Sequence, residues 1–312
     1  MISGWVACWF RLLGSLSLVG GLFGPVEVCA APVLAVLSGN SEAYQSVLGA
    51  LRARLEPQGH EVRALDAGQL DRERTQDARL IVCVGVRAAE RLAELPGRIP
   101  VLVVLVPRQW FVSVGRALLD DAGRRPVSAI VIDQPDARRV ALIRLAFPAS
   151  RKVGLLVSRA QAATLPEIER ALRDEKLQPV SEIVDSGVEL IAPLERVLAE
   201  SDLLLAQPDP GVLNSNTAQI LLLTSYRYRD PVVGYSRSLT TAGALLSLHS
   251  SPVQIGQQAA EWAGEFLAGA AKPPSLLYPR YFEVSVNPQV ARSLGVSVPT
   301  ATELEQRLGR AP

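Results

Sequence analysis

Short apolar runs alternate with amphipathic stretches along most of this chain. The runs at 33–37, 61–65, 80–85, 100–106 and 127–132 are each five to seven residues long and flanked by polar or turn-forming positions. That is the pattern of buried strands. Between the first two, residues 41–55 place Val47, Leu48, Leu51 and Leu55 at helical spacing, and 87–95 and 114–120 predict shorter helices. The alternation then repeats. Strands are predicted at 152–157, 180–184, 202–206 and 231–235, with helices at 136–146, 165–175, 190–199 and 215–226.

Strands separated by helices of this length build parallel sheets through right-handed crossovers. Near-continuous apolar runs belong to sheets covered on both faces. The segments 33–106 and 152–235 share one order of elements, which predicts two similar Rossmann-like α/β lobes.

The stretch 231–269 closes the pattern. An apolar run ends at Tyr235, a polar turn follows at Ser236, Arg237 and Ser238, and a second apolar run spans 243–248. Ser251 and Pro252 then open a helix with a cap and a first-turn proline. Ile255, Ala259, Trp262, Ala263 and Phe266 form one apolar face of that helix, and Gly269 with Pro273 and Pro274 ends it.

This order and wording resembles the bacterial ABC-transporter substrate-binding family with the type I periplasmic binding-protein fold, the family that includes binders of tryptophan and other aromatic amino acids. The resemblance rests on 231–235, 242–246, 256–260 and 267–269, and on the ending Asn287, Ala291, Leu294, Gly295 and Pro299. It covers the last eighty or so residues well, with weaker matches from Val33 onward.

The resemblance implies discontinuous lobes joined by a hinge of three crossings. The first lobe would be 31–128 plus 244–271 and the second 129–243 plus 272–312, with residues 1–30 removed as an export signal. The residues themselves support export. A lone Arg11 precedes the apolar core 12–23, Pro25 ends it, and Ala30 offers a small residue for cleavage. Glu27 and Val28 beside Cys29 make lipid anchoring the lesser alternative, and the expected location is the periplasm. Cleavage would leave Cys83 as the mature chain's one cysteine, on a predicted buried strand, where it serves as a small hydrophobe. A net charge of +1 with both signs interspersed gives no electrostatic case for nucleic acid.

Ligands of parallel α/β sheets meet the loops beyond the carboxyl ends of strands. In the first lobe that rule selects Ser38, Gly39 and Asn40, then Gly85 and Arg87, then Arg108 and Trp110. Ser38–Asn40 could cradle an anion or simply cap a helix, and Arg87 could reach a cleft or stay solvated. The Pro107–Phe111 loop carries a guanidinium beside two aromatics, Trp110 and Phe111, where the resembled family usually has an Asp-Pro pair, which puts the family's usual ligand in doubt. Arg108 suits a carboxylate or planar group, and Trp110 either faces a ligand or packs beneath the loop.

In the second lobe the rule selects Asp133 and Gln134 at a crossing, then Ser158, Asp209, Asn214, Tyr235 and Ser236. The resemblance assigns Asp209 as a carboxylate for a ligand ammonium; a turn aspartate held by Pro208 and Pro210 is the alternative. Asn214 could equally cap the next helix.

Catalysis has little support. His60 and His249 are the only histidines and have no partners spaced for a metal, and phosphate-loop, dinucleotide and nucleophile-elbow motifs are absent. No metal or cofactor is expected. The expectation is an exported, monomeric solute-binding protein without enzymatic activity, serving an ABC permease, its ligand an amino acid or other small carboxylate. The alternative is a periplasmic sensor read by a membrane signalling protein.

Overall fold

The computed structural model describes residues 32–185, 190–270 and 274–309. The expected export signal lies outside them. Twelve strands form two sheets of six. In chain order they are β1 (Val33–Leu37), β2 (Val62–Asp66), β3 (Leu80–Val84), β4 (Val101–Val106), β5 (Val127–Val131), β6 (Lys152–Ser158), β7 (Gln178–Val184), β8 (Leu203–Leu205), β9 (Val232–Gly234), β10 (Leu246–His249), β11 (Leu276–Leu277) and β12 (Glu283–Val286). The first sheet runs β11-β5-β4-β3-β1-β2, all parallel. The second runs β12-β10-β9-β8-β6-β7, parallel except for the β10–β12 pair. The two α/β lobes read from the sequence are therefore present.

Alternation along each strand divides the first lobe's core into two layers. Val33, Ala35 and Leu37 face the helices Glu42–Leu55 and Pro252–Leu267, together with Val82, Val84, Leu102 and Val104. Leu34 and Val36 face the opposite way with Ile81, Cys83, Val101 and Val103, against Ala88, Leu92, Phe111 and Leu119. Burial pushes the Cys83 thiol up to about 12, so it sits as an inert apolar side chain. The Glu42–Leu55 and Pro252–Leu267 helices cross at Gly256, where a Cβ would stand 2.8 Å from Ala50 Cβ and 2.9 Å from Val47 Cα. Glycine is needed there for close approach.

The sheets correct the sequence-drawn boundaries at each crossing. β5 pairs with β4 through Val131, so the first lobe runs past 128, and the chain leaves it over 132–135. β10 pairs with β9 and β12, so 246–249 belongs to the second lobe and not the first. The chain returns at 250–251, caps the Pro252–Leu267 helix with Ser251, and adds β11 to the edge of the first sheet beside β5. It crosses finally over 278–282. The short strands β11 and β12 and the terminal helices Pro288–Leu294 and Ala301–Leu308 carry few apolar positions each and were not predicted. The expected polar turn at 236–238 instead starts a helix, Arg237–Ala242, capped by Ser236.

Side chains tie the three crossings together. Gln134 is buried, its Nε2 donating to Ser250 Oγ at 2.7 Å and its Oε1 accepting from Arg138 Nη1 at 2.7 Å. Arg138 also donates to Pro279 O at 2.9 Å and lies 4.5 Å over the Phe282 ring, while Ser250 Oγ donates to Tyr281 O at 2.5 Å. One amide thus bridges the first and second crossings, and one guanidinium bridges the first and third.

Candidate functional site

Beside these crossings a cavity of about 430 Å³ opens between the lobes. Its first-lobe wall comes from residues just past β4 (Arg108, Gln109) and β5 (Ile132, Asp133, Gln134). Its second-lobe wall comes from residues past β8 (Gln207, Pro208) and β9 (Tyr235, Ser236). Asp136, Arg139, Gln161, Arg237, His249 and Tyr278 are among the other residues that line it, with Ile168 and Leu248. A cavity of this size holds a small organic molecule, and its mixture of apolar and polar walls is typical of ligand sites.

Local backbone geometry aims the first-lobe wall. Leu105, next to the end of β4, adopts φ 55, and the β4–β5 register shifts between Val104 and Val106. A leucine in the left-handed region is costly, and such bulges redirect the strand that carries them. Here the bulge delivers Pro107 and Arg108 to the cavity mouth. The backbone N–H of Arg108 donates to Asp133 Oδ2 at 2.7 Å, fixing two cavity residues against each other. Burial raises the Asp133 carboxyl above its ordinary range, opposed by that hydrogen bond and by the charges of Arg139 and Arg108. The Arg108 guanidinium reaches across the cleft to Glu167 Oε2 at 2.8 Å, on the second-lobe helix Leu165–Asp174, while its buried Nε has no partner.

Two further guanidiniums are already engaged. Arg139 donates to Asp136 Oδ1 at 3.1 Å, Gln207 Oε1 at 2.9 Å and Ala206 O at 3.1 Å, holding the end of β8 in place. Arg237 pairs with Glu283 at 2.5 Å. Burial lowers the His249 pKa, which leaves a neutral ring whose Nε2 lies 2.8 Å from Ser285 Oγ. Burial raises the Tyr235 and Tyr278 hydroxyls, so both stay protonated donors at neutral pH.

Of the residues selected from sequence, the cavity gathers Arg108, Asp133, Gln134, Tyr235 and Ser236. Gln134 is consumed by the hinge and Ser236 caps a helix, its Oγ accepting from Leu239 N at 3.2 Å. The others do not line it. Ser38 Oγ accepts from Ala88 N at 2.9 Å, and Gly39 and Asn40 are half-exposed or exposed beside it. Arg87 donates to Ser38 O at 3.3 Å and lies 3.9 Å from Asp66. Gly85 takes φ 89 to start the helix Val86–Ala93. These five form a helix-start structure on the first lobe, and none of them lines the cavity.

Trp110 packs against the core layer of Phe111 and Leu119, its ring lying close over Gly115 further along the same helical segment. Asp209 is 1% exposed and spends its carboxylate internally: Oδ2 accepts from Ser158 N at 2.6 Å, and Oδ1 from Ser158 Oγ and Gly211 N, each at 2.9 Å. It ties the turn after β8 to the end of β6, the turn-aspartate alternative rather than an ammonium partner. Asn214 likewise accepts from Asn216 N at 3.0 Å and donates to Pro210 O at 2.9 Å, locking the same turn.

Sequence reasoning missed Arg139, Gln161, Glu167, Gln207, His249 and Tyr278. Gln207 directly follows a strand and was within reach of the strand-end rule. Arg139 and Glu167 sit in first turns of helices whose orientation toward the cleft is set by tertiary packing. Among the described residues no cluster of His, Cys, Asp and Glu is arranged for a metal, and no helix is long and apolar enough to cross a membrane.

The sequence profile of the family described as ABC transporter substrate binding protein matches residues 65–305. No curated protein matches the chain significantly. Among solved structures, a ligand-free, open substrate-binding protein with adhesive properties from Clostridium difficile superposes with a TM-score of 0.66 at 15% identity, over 87% of this chain and 97% of that one. A conserved domain protein from Vibrio cholerae gives 0.60 at 19% identity, covering 88% and 98%. An ABC domain in complex with L-Trp from Streptococcus pneumonia gives 0.59 at 15% identity, covering 88% and 98%. At these identities the structures speak to the fold alone, and the fold is that of type I periplasmic binding proteins. The profile spans more than three-quarters of the sequence, and the chain belongs to the ABC transporter substrate-binding protein family.

Proposed function

We propose that this protein is an exported solute-binding protein that captures a small molecule between its lobes and presents it to an ABC permease. The observation that carries the reading is the cavity itself, lined from both lobes and placed beside all three crossings. A ligand that touches both walls binds the closed arrangement better than the open one and shifts the population toward it. Ile132, Ile168 and Leu248 supply apolar surface, while Arg108, Asp133, Gln161 and Gln207 supply oriented polar groups. Export follows from the leader-like first thirty residues.

The test has two parts. Mass spectrometry of the protein recovered from the periplasmic fraction of an expressing bacterium should give a chain beginning at Ala31. Thermal unfolding of that mature chain against amino acids, small carboxylates and sugars should show a stabilised midpoint for at least one class. A ligand at a hundred times its dissociation constant adds about 2.7 kcal/mol. A hit whose shift survives in a variant with the cavity filled, such as Ser236→Trp, would place binding elsewhere and refute the reading.

A further inference from the structure

The Arg108–Glu167 pair spans the cleft: the guanidinium belongs to the loop after β4, the carboxylate to a second-lobe helix. It is an unequal pair. The Arg108 side chain is 25% exposed and Glu167 54%, so the arginine is held at the cavity wall while the glutamate reaches in from solvent. Arg108 is fixed from its backbone by Asp133 and retains a buried Nε–H with no acceptor. Arg139 and Arg237, the other guanidiniums of the cavity, are engaged by Asp136 and Glu283 within the second lobe. One cationic group of the cavity is therefore held only by a carboxylate that can leave.

We propose that Arg108 is the anion subsite of the cleft and that Glu167 is its built-in competitor, a carboxylate that fills the subsite until a carboxylate-bearing ligand displaces it. This rests on the reading of the cavity as the ligand cleft. An incoming carboxylate can use the fork of the guanidinium, including the Nε–H that Glu167 leaves unmet, so the exchange gains a hydrogen bond. Glu167 returns to water at little cost because it is already half-exposed. A monoanion fits better than a phosphate. Asp133 and Asp136 also line the cavity, and a second negative charge would be set against them. Neutral sugars would have to leave the Arg108–Glu167 pair in place and bind beside it.

The experiment is calorimetric titration of the mature chain, E167Q, R108Q and R108K with a fixed panel: L-tryptophan, L-leucine, L-glutamate and benzoate, with D-ribose and D-galactose as neutral probes. The expected binders carry a carboxylate. E167Q should tighten them about two- to fivefold, the range of one exposed ion pair. R108Q should weaken them by about tenfold or more, and R108K, which keeps charge but loses the fork, by an intermediate factor. The amide of the tightest acid should lose its binding. A neutral sugar that binds while the acids do not would overturn the proposal and leave the solute-binding reading standing. So would an acid whose affinity E167Q leaves unchanged or weakens. Silence of the whole panel together with unchanged thermal unfolding would count against the cleft reading itself, and this proposal would fall with it.

Discussion

Replacing Asp209 separates a scaffold residue from a ligand contact, and the structure gives the size of the effect. Its carboxylate accepts three hydrogen bonds in a place that is 1% exposed. Hydrogen bonds to a charged group contribute about 1.5–3 kcal/mol each, and a buried donor left without an acceptor costs about 1–3 kcal/mol. Asp209→Ala removes all three and strands the N–H groups of Ser158 and Gly211. Some of this is recovered as the turn relaxes or admits water, so the net loss should be about 3–5 kcal/mol, within the upper range for single substitutions.

Asp209→Asn tests the same geometry with almost no change in volume. With the amide oxygen at Oδ1, the new N–H₂ opposes the Ser158 N–H. Flipped, it opposes the Gly211 N–H. Either orientation sets one donor against another, and a loss of about 2 kcal/mol is expected. Urea unfolding of the ligand-free mature chain measures both variants. If both unfold within 1 kcal/mol of the parent while a cavity ligand loses affinity, the assignment of Asp209 to the scaffold is wrong and the ammonium-partner reading returns.

Other consequences can be read the same way. Gly256→Ala should cost about 1–3 kcal/mol, because its Cβ meets the Val47 backbone, whereas Gly49→Ala on the opposing helix faces open space and should stabilise by a few tenths to about 1 kcal/mol; equal urea midpoints for the two would refute the close-approach argument. Burial raises the Asp230 carboxyl to about 6, against its hydrogen bond from Ser201 Oγ. The native state therefore holds a proton that the unfolded chain has released between about pH 4 and pH 6. Stability should fall as pH rises through that window and level off above it, and Asp230→Asn should flatten that part of the profile; a parent profile rising from pH 4 to pH 6 and unaltered by the substitution would contradict it. Gln134→Ala should cost about 1–3 kcal/mol and broaden the distribution of interlobe distances in spin-label measurements on ligand-free protein; a distribution as narrow as the parent's would show that the crossings are held by other means.

The parts of this molecule that were legible in the sequence are those decided by local pattern. Runs such as Leu80–Val84 must be strands buried on both faces, and Ser251 followed by Pro252 starts a helix whatever surrounds it. Even the position of the cleft follows from a topological rule, which is why Arg108, Asp133 and Tyr235 were found. What a strand-end side chain does there is a different question. Asp209, Gln134 and Arg108 all follow strands and all carry polar groups, yet one is spent within a turn, one across a hinge, and one on a carboxylate from the opposite lobe. Each outcome depends on a partner from 51 to 116 positions away in the chain, a range over which sequence pattern carries no register. The lobe boundaries failed for the same reason. Residues 246–249 read as a strand in either lobe, and only their pairing with Val232–Gly234 on one side and the antiparallel edge Glu283–Val286 on the other assigns them to the second. That edge is four residues long and half-buried, too weakly patterned to announce itself. The hinge is thus defined by the least legible segments of the chain, and whether Arg108 holds Glu167 or a ligand turns on the distance those segments allow between the lobes.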